Sequence, residues 1–238
     1  MSDKPKQESQ TEIGPQQILL IMTTEHYTLE GARASTISDA NGRSSLFLSA
    51  VSSGLVALAF VGQVSKMDQT FFVFALIRFP SLLFLGLVTF VRLLETALED
   101  ALYARGIARI RHYYTEIAPQ TRPYFVLPTN DDMATALGGT MGLYLPTIQI
   151  FFTGAGMISV INGVLAGTFV GLLVVALFAT PIPLTVVIGV IGFVIVVGLQ
   201  TVFQRTQWQI AAQKMTAMFP NQNLTDSKKS SMPQSPTR

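Results

Sequence analysis

Charged residues are scarce in this chain of 238 residues, and cysteine is absent. Only 13% of the residues are Asp, Glu, Lys or Arg, whereas soluble domains carry about 25%. The absence of cysteine excludes disulfides, thiolate metal sites and a cysteine nucleophile. The net charge is only +2, far from the basic composition of nucleic-acid-binding proteins, so we expect no nucleic-acid partner. The shortage of charge indicates that much of the chain lies in lipid.

The longest uncharged stretch identifies part of the membrane region. No charged residue and no histidine occurs between Asp132 and Arg205. A helix of about 20 apolar residues, rising about 1.5 Å each, crosses the hydrocarbon core of a bilayer. We therefore predict an all-α integral membrane protein with four transmembrane helices in two hairpins and with cytoplasmic helical extensions. The predicted spans are residues 44–64, 70–91, 157–180 and 184–203.

Polar segments extend the spans. We predict that a juxtamembrane helix beginning at Thr24 continues into the first span, and that the second span continues as an amphipathic helix until Pro119 ends it. Arg205, Trp208 and Lys214 are predicted to mark the exit of the fourth span. The predicted units are 1–23, disordered or interfacial; 24–117, with the first two spans; 118–148, a cytoplasmic linker; 149–204, with the last two spans; and 205–238, an interfacial end with a disordered tail.

Two shorter features lie outside the spans. The apolar run Ile18–Met22 is too short to cross a membrane. It lies either in the membrane interface or against the protein's own cytoplasmic part. In the linker we predict a short helix from Met133 to Met141, with Asn130 or Asp131 as its N-cap.

The distribution of basic residues predicts the orientation in the membrane. Every Lys and Arg except Lys66 and Arg78 lies before the first span, in residues 92–132 or after the fourth span. In membrane proteins the cytoplasmic loops carry the excess of Lys and Arg. We therefore predict a multi-pass protein of the plasma (cytoplasmic) membrane, with both termini and the linker in the cytoplasm and Lys66 on the far side.

Small residues recur at every fourth position in two of the predicted spans. We call the series near the third span the glycine ridge and the series in the first span the serine ridge. The glycine ridge is Ala155, Ser159, Gly163, Gly167 and Gly171, and the serine ridge is Ser45, Ser49, Ser53 and Ala57. Helices in lipid associate by close van der Waals approach, which small residues permit. The serine ridge is a candidate partner of the glycine ridge, which packs either within one chain, against the first or fourth span, or between subunits.

Arg78 is the only charged residue inside a predicted span. It lies about 12 Å deeper than Thr70, and an arginine in the bilayer costs at least about 2.5–3.5 kcal/mol on insertion scales. No acidic residue lies in any span, so the candidate partners are backbone carbonyls such as that of Leu76, the side chains of Asn162 and Gln200, or a bound anion. One interpretation is a ring of Arg78 side chains that lines a pore for anions. The other is that Arg78 extends to the membrane surface and fixes the tilt of its helix.

Histidine and glutamate side chains also suggest a metal site outside the spans. The candidate ligands are His26, Glu30, Glu95, Glu99 and His112. Carboxylate and imidazole groups on facing helices bind metals in helical bundles, so a divalent cation is a candidate cofactor. The alternative is a set of salt bridges on a solvated face. No other cofactor is indicated, because phosphate-binding, dinucleotide-binding and hydrolase motifs are absent.

Residues 24–117 carry a resemblance to known sequences. The segment TTEHYTLEGARASTISDANGRSSLFLSAVSSGLVALAFVGQ, with LEDALYARGIARIRHYY after the second span, resembles a group of uncharacterised bacterial four-span integral membrane proteins. These share a segment ending in Asn41-Gly42-Arg43 before the first span. The resemblance implies a bacterial inner-membrane protein and no established activity. The order of juxtamembrane helix, two spans and cytoplasmic helix is also distantly similar to the two-span effector domains of nucleotide-signalling defence systems.

Three functions are compatible with these features. The first is a non-enzymatic homo-oligomeric membrane protein that forms a pore and whose cytoplasmic helices sense or bind a ligand or protein. The second is a membrane-anchored adaptor without conductance. The third is a membrane enzyme with a cytoplasmic metal site formed by histidine and glutamate. Conductance in liposomes distinguishes the first from the second, and hydrolytic assays with metal test the third.

Overall fold

Four long helices and one short helix make up most of the chain. The computed structural model describes residues 14–138, 149–178 and 180–221. In these ranges there is no strand, and the helices are α1 (Pro15–Val64), α2 (Gln69–Ile117), α3 (Met133–Gly138), α4 (Gly154–Phe178) and α5 (Ile182–Lys214), with 3-10 helices at Pro119–Tyr124 and Gln149–Phe152. By length and composition, α1, α2, α4 and α5 are apolar enough to cross a membrane. The predicted all-α class with four candidate membrane helices is therefore confirmed.

α1 is a continuous helix of 50 residues that begins earlier than predicted. It begins at Pro15, because proline loses no helical hydrogen bond at the first position and its fixed φ suits the first turn. The predicted start at Thr24 is wrong, since Thr24 Oγ1 donates to the Leu20 carbonyl at 2.8 Å within the helix.

The apolar run Ile18–Met22 therefore lies inside α1. Leu19, Leu20 and Ile21 are exposed, Leu20 by 67%, whereas Ile18 and Met22 are half-buried. Leu20 also lies about 36 Å along the helix axis from Ser44, where the first span is predicted to begin. The neighbouring Thr23 Oγ1 lies 3.5 Å from Tyr114 Oη of α2. The two predicted positions of the run, in the membrane interface or against the protein's own cytoplasmic part, stay predictions.

A short turn joins α1 to α2. Lys66 and Met67 have φ angles of 50° and 61°, in the left-handed region, so that the chain reverses within few residues. Asp68 is the N-cap of α2 and accepts a hydrogen bond from the N–H of Thr70 at 2.8 Å.

α2 is a helix of 49 residues, and it confirms that the predicted second span and the following amphipathic helix are one element. Pro80 lies inside it and has no N–H, so the carbonyl of Leu76 lacks its usual partner in the helix. The helix ends at Ile117, and Pro119 begins the 3-10 helix that follows, as the predicted end at Pro119 requires.

Helices α3 and α5 differ from the prediction. α3 begins at Met133 as expected, but its N-cap is Asp132, whose Oδ1 accepts from the N–H of Thr135 at 2.9 Å. The predicted cap at Asn130 or Asp131 is therefore wrong, and the predicted end of this helix lies outside the described residues. α5 continues past residue 203, where the fourth span is predicted to end, as far as Lys214. Arg205, Trp208 and Lys214 therefore lie on the same helix as the span, and the membrane exit expected at these residues stays a prediction.

The long helices pack in the order α1, α2, α4, α5. α2 is central because it contacts both α1 and α4, whereas α5 packs mainly on α4. The apolar core between α1, α2 and α4 includes Phe47, Leu58, Phe79, Leu82, Phe90, Leu94 and Ile158. This order decides which of the predicted site residues can meet.

α1 and α2 also pack along each other beyond the predicted spans. Arg33 Nε donates to Asp100 Oδ1 at 2.7 Å, and a Cβ placed on Gly106 would lie 2.9 Å from Leu29 Cδ1. The two extended helices therefore pack together within one chain. We call residues 15–43 of α1 and 92–117 of α2 the stalk.

Candidate functional site

Arg78 lies between α1 and α2, where Gly54 leaves room for it. A Cβ placed on Gly54 would lie 3.2 Å from Arg78 Nε and 3.0 Å from Leu82 Cδ1. Arg78 Nε is buried and has no hydrogen-bond partner among the described residues. The guanidinium group therefore packs against Gly54 of α1, and its Nε has no polar contact with the described residues.

The predicted polar partners of Arg78 lie elsewhere in the helix bundle. Asn162 and Gln200 are buried between α4 and α5, and Asn162 Nδ2 donates to Gln200 Oε1 at 3.4 Å. Asn162 Oδ1 lies against Gly86 of α2, so closely that a Cβ on that glycine would overlap it. Gly86 is about 12 Å from Arg78 along the helix. The predicted set of Arg78, Asn162 and Gln200 is therefore not brought together by the described residues.

Three polar atoms remain without a partner around this amide pair. They are Asn162 Oδ1, Gln200 Nε2 and Ser159 Oγ, all buried and with no hydrogen bond to the described residues. Ser159 belongs to the glycine ridge and is 1% exposed. Polar side chains between helices in lipid stabilise helix association through hydrogen bonds, and the one formed here connects α4 to α5.

The glycine ridge faces α5. A Cβ on Gly163 would lie 2.5 Å from a valine methyl group of α5, and one on Gly167 would lie 2.5 Å from the carbonyl oxygen of Gly189. A Cβ on Gly171 would lie 3.4 Å from Thr185 Cγ2. Of the alternatives for this ridge, the described contact is the one within a single chain against the predicted fourth span.

The serine ridge does not meet the glycine ridge. Ser49 and Ser53 are exposed, and Ser53 Oγ donates to the Ala50 carbonyl of its own helix at 3.1 Å. α1 instead packs through a different face, on which Phe47 and Leu58 are buried. The predicted pairing of the two ridges within the chain is wrong, because α2 lies between α1 and the α4–α5 pair.

The candidate metal ligands are also separate. His26 Nε2 lies 3.1 Å from Glu30 Oε1, and His112 Nε2 lies 3.5 Å from Glu116 Oε1. Glu95 Oε2 accepts from Arg92 at 2.7 Å. In the part of the chain that the structure describes, no three His, Asp or Glu side chains are grouped as metal ligands would be. The structure therefore does not bring together the predicted set of His26, Glu30, Glu95, Glu99 and His112.

A polar network that the sequence did not predict surrounds Asp131, which is fully buried. Its Oδ1 accepts from the N–H of Phe219 at 2.7 Å, and its Oδ2 accepts from the N–H of Met218 at 3.1 Å. Arg109 Nε donates to Oδ2 at 2.6 Å, and Arg105 Nη2 lies 3.6 Å from the same oxygen. One carboxylate thus faces two main-chain N–H groups and two guanidinium groups.

The same arginines bind the chain that follows α5. Arg105 Nη2 donates to the Thr216 carbonyl at 2.9 Å, and Arg109 Nη2 donates to it at 3.3 Å. Arg105 Nε donates to the carbonyl of Asp131 at 2.6 Å. We call Arg105, Arg109 and Asp131 the Asp131 site, and residues 216–221 the C-terminal segment.

The electrostatics of this site favour a charged Asp131. Burial by itself raises the pKa of the Asp131 carboxyl, because desolvation disfavours the carboxylate. The N–H of Phe219, the guanidinium of Arg109 and the N–H of Met218 stabilise the carboxylate more strongly, and together they hold the pKa of Asp131 below its ordinary value. Asp131 is therefore ionised at neutral pH, with two positive partners.

The Asp131 site could not be predicted from local sequence patterns. Helical periodicity places Arg105 on the polar face of α2, yet Arg105 is 2% exposed. The predicted interfacial end with a disordered tail after Pro220 did not indicate that residues 216–219 bind Asp131, Arg105 and Arg109. Asp131 and Phe219 are 88 positions apart, and no local pattern relates two residues so distant in sequence.

The chain matches no known family model, no curated protein and no solved structure. The structure itself defines a class, an all-helical protein with four helices that are long and apolar enough to cross a membrane. The resemblance of residues 24–117 to bacterial four-span proteins stays a prediction.

Proposed function

We propose that the protein is an oligomeric, non-enzymatic integral membrane protein that forms a pore for anions, with the stalk as a cytoplasmic sensing part. The observation that carries this proposal is the buried Arg78 Nε, which has no hydrogen-bond partner among the described residues. A charged side chain within a bilayer is expensive, and such residues normally face a protein interior or a water-filled cavity and mark ion pathways.

The chain itself offers Arg78 no counter-charge inside the membrane. None of the predicted spans contains an acidic residue, and the amides of Asn162 and Gln200 are bound to each other. A partner from outside the chain, such as an anion in a channel between subunits, would compensate the charge. Rings of arginine or lysine are one way in which pores select anions.

The orientation follows from the basic residues. The stalk carries several arginines, including Arg33 and Arg111, whereas the α1–α2 turn carries only Lys66. The positive-inside rule then favours a cytoplasmic stalk in the plasma membrane, with both termini on the same side. A topology reporter fused at Lys66 is expected to be extracytoplasmic, and a cytoplasmic signal would contradict this orientation.

The pore is tested by anion flux in liposomes that contain the full chain. We expect chloride flux from the wild type, and a loss of at least about tenfold in flux or of anion selectivity for Arg78→Gln. Arg92→Gln is the matched control, because Arg92 lies on the same helix, has a 54% exposed side chain and pairs with Glu95. Unchanged selectivity in an active Arg78→Gln channel would contradict the role of Arg78, as would a monomer in nanodiscs.

A second candidate is a membrane-anchored adaptor without conductance. It is favoured by the exposed side chains of Leu19, Leu20 and Ile21 at the far end of the stalk, since apolar residues grouped at a surface often mark an interaction site. Wild-type liposomes without any flux, in the presence of correctly oriented protein, would favour this function. The enzyme with a metal site has no support from the geometry, because its candidate ligands are not brought together in the described residues.

A further inference from the structure

The C-terminal segment joins two parts of the molecule that otherwise touch little. α5 packs mainly on α4, but after Lys214 the chain crosses to α2 and the linker, where it binds the Asp131 site. We infer that the C-terminal segment is a releasable connection between α5 and the stalk, held through its main chain by Asp131, Arg105 and Arg109. This inference does not depend on whether the protein conducts ions.

The connection recognises the backbone of the segment. The N–H groups of Met218 and Phe219 donate to Asp131, and the Thr216 carbonyl accepts from both arginines. The Phe219 carbonyl also accepts, from the N–H of Asp131 at 3.3 Å. Main-chain groups are the same for every residue except proline, so these bonds tolerate substitution of most side chains in the segment.

Apolar packing of the segment is uneven. Met218 is 65% exposed, whereas Phe219 is half-buried and stacks on His112 with ring centroids 4.0 Å apart. Segments with few buried apolar contacts open at low free energy. The connection therefore depends mainly on the charge-assisted hydrogen bonds of one carboxylate, which are stronger than neutral ones.

Release of the segment has a defined structural consequence. Without these bonds, α5 would keep its contact with α4 and the packing of Phe203 and Trp208 on the core, but the end of the helix at Lys214 would lose its connection to α2.

Hydrogen–deuterium exchange of the full chain in nanodiscs tests the connection. We expect the Met218 and Phe219 amides to be protected in the wild type and to exchange at least tenfold faster in Asp131→Asn, because the new amide nitrogen would face one of the two N–H donors. Asp100→Asn is the matched control, because this carboxylate lies on the same helix as Arg105 and accepts its hydrogen bonds from Arg33 of α1. Unprotected amides in the wild type, or unchanged protection in Asp131→Asn, would overturn the inference.

A distance measurement gives an independent test. The chain has no cysteine, so Leu102→Cys on α2 and Gln213→Cys on α5 can be spin-labelled specifically. We expect a narrow distance distribution that broadens when Asp131→Asn is added, and an unchanged distribution would overturn the inference. If Asp131→Asn does not fold, Arg109→Gln replaces it, because Arg109 is partly exposed and binds both Asp131 and Thr216. It is expected to raise exchange by about threefold, and no change would overturn the inference.

Discussion

The two pairs of long helices, α1–α2 and α4–α5, are held together by opposite kinds of residue. Between α1 and α2, large side chains such as Phe47, Leu58 and Phe79 are nearly fully buried. Between α4 and α5, two glycines face each other, and a Cβ on Gly167 would lie 2.5 Å from the carbonyl oxygen of Gly189. The first contact is filled by large side chains, whereas in the second the small residues of α4 let α5 approach its backbone.

The difference predicts how each contact responds to mutation. Lipid gives helices no hydrophobic drive to associate, so both contacts depend on van der Waals packing. A contact made of side chains is weakened by truncation, which leaves a cavity. A contact made of backbones is weakened by added volume, which forces the helices apart.

The largest effect is expected for Gly167→Leu. The added side chain would meet the backbone of α5 at Gly189 and separate the two helices, so we expect the free energy of unfolding to fall by about 3 kcal/mol or more. Unfolding in detergent measures the loss. Gly198→Leu is the control, because a Cβ at Gly198 has no atom within 4 Å; equal effects of the two substitutions would contradict the contact. A lower subunit number in nanodiscs would show that the glycine ridge also acts between chains.

A smaller loss is expected for Gly86→Ala, which tests the contact between the two pairs. A Cβ here would overlap Asn162 Oδ1, so the amide would have to leave its position beside Gln200. We expect a loss of about 2–3 kcal/mol in the free energy of unfolding. Gly31→Ala, with no atom within 4 Å of its Cβ, is expected to be neutral or stabilising because alanine favours helices. A neutral Gly86→Ala would contradict the close approach.

Truncation of Phe47 tests the α1–α2 contact. In water such a change in a core costs about 3–5 kcal/mol, but in lipid the transfer part of this cost is lost. We therefore expect Phe47→Ala to lower the free energy of unfolding by about 1–2 kcal/mol. Leu46→Ala is the control, because the neighbouring Leu46 is exposed. If it lowered the free energy of unfolding as much as Phe47→Ala, the burial of Phe47 between α1 and α2 would not explain the effect.

The smallest effect is expected for the serine ridge. Ser49→Leu and Ser53→Leu change exposed positions, so the free energy of unfolding should change by less than about 0.5 kcal/mol. Subunit number in nanodiscs gives the second measurement. A lower number with unchanged stability would assign the ridge to a contact between chains, whereas a large loss of stability would contradict its exposure.

Local sequence patterns predicted the elements better than their contacts. Hydrophobic length and turn residues located the end of α1, the start of α2 and the end of α2 near Pro119, because these features depend on neighbours in the chain. The partner of each face depends on the order of packing. The central position of α2 separates the serine ridge from the glycine ridge, and no spacing in either ridge reveals this.

For polar residues too, the sequence predicted the helices but not which side chains meet, as the Asp131 site shows. A charged residue is normally exposed, so sequence patterns place Arg105 on the solvated side of α2. Its burial is possible only because Asp131 and the Thr216 carbonyl are brought to it from other elements. The histidines and glutamates, by contrast, mostly bind neighbours on their own helix, and a ligand set spread over two helices required a proximity that the fold does not provide.

The uninterrupted length of α1 makes it a lever arm. Its 50 residues span about 75 Å, far more than a bilayer core requires. A change of about 10° in its tilt, pivoting near Ser44, would displace Leu20 by about 6 Å. A small change in the tilt of the membrane part of α1 would thus move the N-terminal end of this helix by about the height of one helical turn. A protein bound at that end would be displaced by the same distance.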